Sequence, residues 1–153
     1  MVRTKKRLWI CSVLLLLNVA FIWGNSLLPG QLSGAISNGL KAFLEMLLGV
    51  QEGPPGGGDL LRKAAHITEF ACLGVLLRWL FGMLLKKKWQ CYMWPLVAGV
   101  AVACVDETIQ MFIPDRGPNI KDVGIDTLGL ALGICIISLI THIKKKQLKE
   151  NVL

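Results

Sequence analysis

Arg62, His66 and Glu69 stand four and three residues apart in RKAAHITEF, so on an α-helix their side chains share one face. Histidine titrates near neutral pH, and beside a carboxylate it can act as a general base whose partner orients the ring. A second set lies in VDETIQMFIPDRGPNIKDVGIDTLG, residues 105–129, which carries five carboxylates and two basic residues. On a helix Asp106 and Gln110 share a face, with Glu107 about 100° around the axis. Asp122, Asp126, Gly129 and Gly133 form one stripe. His66 with Glu69 or Asp126 is the candidate acid–base pair. Arg62, Lys63, Arg116 and Lys121 are candidates for binding phosphate, oriented by the acids. No nucleophile stands out: Thr68, Thr108 and Thr127 are nearby but carry no distinguishing pattern. The carboxylates can serve a hard cation such as calcium or magnesium, but their spacing matches no metal loop. No metal or cofactor is expected.

The elements that hold these groups are apolar. Of 153 residues, 54% are hydrophobic, above the roughly 45–50% of soluble domains, and the excess comes in blocks. Residues 8–28 (LWICSVLLLLNVAFIWGNSLL) carry no charge and are long enough to cross a hydrocarbon core of about 30 Å. Residues 89–105 are also uncharged. Residues 64–85 and 123–143 are apolar runs interrupted by His66, Glu69 and Arg78, and by Asp126 and His142. An all-α membrane protein with four transmembrane helices follows. The first block exceeds the roughly 7–15 apolar residues of a signal peptide and lacks a small-residue cleavage site, so it reads as a retained anchor.

The net charge of +7 suggests nucleic acid until the charges are sorted by membrane side. Arg3 to Arg7, the Arg78 and Lys86–Lys88 group, and Lys144 to Lys149 place twelve cations and a single acid, Glu150, on one side. Nine of the ten acids fall on the other. The positive-inside bias makes both termini and the KKK loop cytoplasmic, with the basic groups as anchors near anionic lipid. Nucleic acid is excluded as a partner. The charged motifs then face the non-cytoplasmic side of the membrane.

Between the first two spans, Ile36, Leu40, Phe43, Leu44 and Leu47 recur at helical spacing in residues 33–48. This amphipathic segment is too short to span and suits either the interface or the outer mouth of the bundle. GPPGGG, residues 53–58, reads as a linker; it lacks the following Lys-Ser or Lys-Thr of a phosphate loop. Cys11, Cys72, Cys91, Cys104 and Cys135 lie in apolar blocks without metal or disulfide spacing and read as small core residues. His142 reads as interfacial. One domain accounts for the whole chain, and the sequence says nothing of oligomers.

Ionisable groups at membrane depth cost about 2.5–3.5 kcal/mol each at a helix centre and persist when paired or lining a polar cavity. Three helices deliver such groups to the same, outer, end, and the small residues of GLALG permit close helix contact, so Asp126 should face the bundle. Two roles remain open: ion pairs that tie the helix ends and the PDRGP loop together, or a shallow polar pocket that binds a head group.

NSLLPG after the first helix, RKAAHITEF opening the second, and DETIQMFIPDRGPNIKDVGIDTLG across the third and fourth resemble the VanZ-like family over residues 25–133. The resemblance implies a multi-spanning bacterial membrane protein. It also implies an involvement in low-level teicoplanin resistance without an established enzymatic activity. Its pattern falls on Asn25, Ser26, Pro29, Lys63, His66, Glu69, Asp106, Glu107, Gln110, Pro114, Arg116, Asp122, Asp126 and Gly129. Two positions depart from it: Thr108, where relatives more often carry His, and Asp115, where Gly is common. The first weakens a two-histidine mechanism. Membrane lipid and a lipid-linked peptidoglycan precursor are the partners this reading implies; the alternatives are a membrane-embedded enzyme acting on such a lipid through a His/carboxylate pair, or a purely structural membrane subunit.

Overall fold

The computed structural model describes residues 2–49, 57–117 and 119–150. Five helices run in order: α1 (Val2–Ser26), α2 (Gly30–Leu48), α3 (Gly57–Leu84), α4 (Gln90–Gln110) and α5 (Ile120–Glu150). No strand occurs among the described residues. Within α1, α3, α4 and α5, the segments Thr4–Ser26, Leu60–Leu84, Gln90–Gln110 and Ile120–Leu148 are long and apolar enough to cross a membrane. A helix satisfies its own backbone hydrogen bonds, which a chain surrounded by hydrocarbon requires.

Helix ends follow local chemistry. α1 stops short of Pro29, which caps the start of α2 at φ −52° and lacks the N–H a continuing helix needs. α2 ends at Gly49, whose left-handed φ of 64° lets its N–H reach the carbonyls of Glu45 and Met46. Asn119 begins α5 by accepting a bond on its side-chain oxygen from the Lys121 N–H at 3.1 Å.

The spans pack alternately up and down, so the end of α1, the start of α3, the end of α4 and the start of α5 meet at one end of the bundle. α3 and α5 make the closest pair. A Cβ at Gly133 would overlap the Ala71 carbonyl, one at Gly129 would press on the Ile67 backbone, and one at Gly74 would overlap the Leu130 carbonyl. The expected small-residue contact is present, made by glycines on both helices. Around it Ile22, Phe70, Leu73, Leu77, Ala103, Leu130 and Ile134 form the core. Toward the other end, the Arg78 guanidinium sits 4.5 Å over the Tyr92 ring, which accommodates a charge inside the α3 span.

Two expectations change. Gly57 and Gly58, assigned to the linker, belong to α3, and residues 53–56 lie outside the described residues. All five cysteines are free, yet only Cys11 and Cys91 are buried; Cys72, Cys104 and Cys135 face outward, where a lipid-facing surface suits a small apolar side chain. α2 packs on α3 but buries none of its own residues, and Ile36, Leu40, Phe43 and Leu47 remain exposed. His142 is exposed near the end of α5.

Candidate functional site

Asp126 lies one turn inside α5 from Asp122 and is 1% exposed. The stripe that places Gly129 and Gly133 against α3 also turns Asp126 inward, because all three lie on one face of the helix. Across from it on α3, His66 Nδ1 stands 3.4 Å from Asp126 Oδ1. Neither Asp126 oxygen accepts a hydrogen bond.

Asp106 on α4 is fully buried. Its Oδ1 accepts from Ser26 Oγ of α1 at 2.6 Å, and its Oδ2 from Gln110 Nε2 at 2.9 Å. Gln110 Nε2 also reaches Ser26 Oγ at 3.3 Å, closing the network. Glu69 Oε1 accepts from Asn25 Nδ2 at 2.8 Å. Glu107 Oε2 accepts the Asn119 N–H at 3.0 Å and so holds the loop to the end of α4, while its buried Oε1 has no hydrogen-bond partner.

The PDRGP loop closes over this end. Asp115 takes a left-handed φ of 59°, a region aspartate tolerates better than most residues, so the turn that glycine favours survives the substitution. The Gly30 N–H donates to the Pro114 carbonyl at 3.1 Å, and a Cβ at Gly30 would overlap the Asp115 carbonyl. Arg116 Nη2 donates to the Asn25 carbonyl at 3.2 Å, while its buried Nε and Nη1 have no hydrogen-bond partner. Burial pushes the Arg116 guanidinium below its usual range and neighbouring Arg62 adds to this, against the opposing pull of Asp106 and Glu107.

Arg62, Lys63, His66, Glu107, Gln110, Asp122 and Asp126 line one cavity together with Ile125. Its volume of about 20 Å³ holds a water molecule or an ion; a lipid head group does not fit inside. Glu69 and Asp106 stand beside it, bonded from α1. Lys121 is exposed at the start of α5, outside the cavity walls. The sequence-predicted residues therefore converge, with Lys121 at the margin. Charge and spacing point to three helices; α1 is the fourth, through Asn25 and Ser26, which only the resemblance singles out. Their signal was a polar pair closing an apolar stretch.

The hydroxyls of Thr68, Thr108 and Thr127 donate to the carbonyls of Ala64, Cys104 and Val123, each four residues back in its own helix. None is held toward His66 as a nucleophile. Among the described residues, one donor atom each from His66, Asp106 and Asp126 lies within 4.8 Å of the others, close enough that the three could hold a metal ion. They come from three helices, so no linear motif announced them.

Fold and site define a multi-pass helical membrane protein with a polar cluster buried at one end of its bundle. The chain belongs to the VanZ/LLP1 family, whose model matches residues 8–141. No curated protein and no solved structure matches it.

Proposed function

We propose that the polar end faces outward from a bacterial cytoplasmic membrane and engages the anionic head group of a membrane lipid or lipid-linked peptidoglycan precursor. The observation that carries this reading is a cavity of about 20 Å³ with Arg62 and Lys63 in its wall and Arg116 in the loop beside it. The head group rests on the rim, where guanidinium groups suit phosphate oxygens. Asp106 and Glu107 oppose the effect of burial on Arg116 and favour its charged form. Twelve cations at the opposite ends of the spans support the orientation. The exposed apolar face of α2 suits a helix lying in the outer interface beside the site. By family kinship, precursor held in this way is less available to teicoplanin-type glycopeptides.

Lipids co-purifying in mild detergent and identified by mass spectrometry test the proposal. Wild-type protein retains a defined anionic lipid, and Arg116→Ala loses most of it while eluting as the wild type does. Equal recovery from both, or no anionic lipid from either, removes the head-group role.

A further inference from the structure

We infer that His66, Asp106 and Asp126 form a binding site for one divalent transition-metal ion, zinc or manganese. Three observations converge on it. The donor atoms come from α3, α4 and α5 and lie within 4.8 Å of one another. Ligands bound to one ion at about 2.1 Å stand at most about 4.2 Å apart, so a small rotation of the side chains completes the set. Asp126 is 1% exposed and lines the cavity, neither oxygen accepts a hydrogen bond, and its charge partner at 3.4 Å, His66 Nδ1, is itself one of the three donors. A buried carboxylate left in that state is costly, and a cation removes the cost. The cavity of about 20 Å³ that His66 and Asp126 line is the size of an ion or a water molecule.

Charge and chemistry narrow the ion. Two carboxylates and a neutral imidazole carry a charge of about −2, which a dication cancels and a protonated histidine only halves. Calcium and magnesium prefer all-oxygen shells, whereas an imidazole nitrogen with carboxylates suits zinc or manganese. The surroundings have the form of a metal site's supporting shell: Ser26 and Gln110 each bond one Asp106 oxygen and fix that carboxylate's orientation. Three protein ligands would leave at least one coordination position for water. Glu107, in the same cavity wall, has a buried Oε1 without a hydrogen-bond partner that could accept from such a water. This inference stands apart from the head-group reading, because the probe is the metal alone.

The test uses full-length protein in mild detergent, stripped with chelator and dialysed against a low concentration of free Zn²⁺ or Mn²⁺. Wild type retains about one equivalent and its thermal midpoint rises. Asp126→Asn and His66→Gln weaken binding tenfold or more, and Gln110→Ala by about 10–100-fold. Glu150→Gln, exposed at the far end of α5 and away from the cavity, keeps its equivalent. Absence of binding by wild type overturns the inference, as does undiminished binding by the Asp126 and His66 variants. Should those variants fail to fold, Co²⁺ added to wild type decides: visible bands of nitrogen-and-oxygen coordination saturating at one equivalent support the site, and their absence overturns it.

Discussion

At the residue scale, carboxylates that would be expensive in a membrane bundle are accommodated by bonds from other helices. Ser26 is the clearest case, because its hydroxyl donates to Asp106 and also accepts from Gln110. Ser26→Ala leaves a fully buried Asp106 oxygen without that donor, a loss of about 1–3 kcal/mol. In metal-free protein this appears as a lower unfolding midpoint in detergent. Ser37→Ala is the control: Ser37 bonds the Ser33 carbonyl of its own helix, and its removal changes the midpoint little. An equal shift in both would mean that the Ser26 bond contributes nothing special. The charges themselves were legible in the sequence. Their partners were not, because Ser26 and Asp106 are 80 residues apart and serine is common near helix ends.

At the element scale, the α3–α5 contact sets the rotation of both helices and hence which side chains meet. Gly133 and Gly124 give opposite expectations. A Cβ at Gly133 would overlap the Ala71 carbonyl, whereas one at Gly124 meets nothing within 4 Å. Gly133→Ala costs about 1–3 kcal/mol through overpacking. Gly124→Ala stabilises α5 by about 0.5–1 kcal/mol through its better helix propensity. Thermal unfolding of the two variants checks both signs; a Gly133→Ala protein as stable as wild type would show that the helices sit further apart. Helical spacing predicted this stripe and the inward turn of Asp126, because periodicity survives whatever the neighbours are. The extension of α3 back to Gly57 was not predicted. A run of glycines reads locally as linker, and packing against α2 overrides that weak propensity: a Cβ at Gly58 would overlap the Asn38 side chain.

At the scale of the whole molecule, charge sorting along the chain predicts an orientation, and labelling tests it. In protein whose own five cysteines are replaced, Gly117→Cys reacts with a membrane-impermeant maleimide in intact cells and Lys87→Cys does not. Both positions are exposed, so access alone decides the result. Reversed labelling would put the polar end in the cytoplasm and remove the outward head-group role, while leaving the metal site untouched.

The sequence by itself determined the helical class, the four spans, and the end of the bundle at which the ionisable residues collect. Those properties depend on hydropathy, periodicity and loop charge, all readable within a few turns of helix. Only the tertiary structure decided that α1 closes the site with Asn25 and Ser26, that Lys121 stays outside, and that His66, Asp106 and Asp126 come within 4.8 Å of one another. Donors on separate helices meet only when helix rotation and spacing are fixed, and that is the work of backbone contacts at Gly74, Gly129 and Gly133, which no single segment encodes.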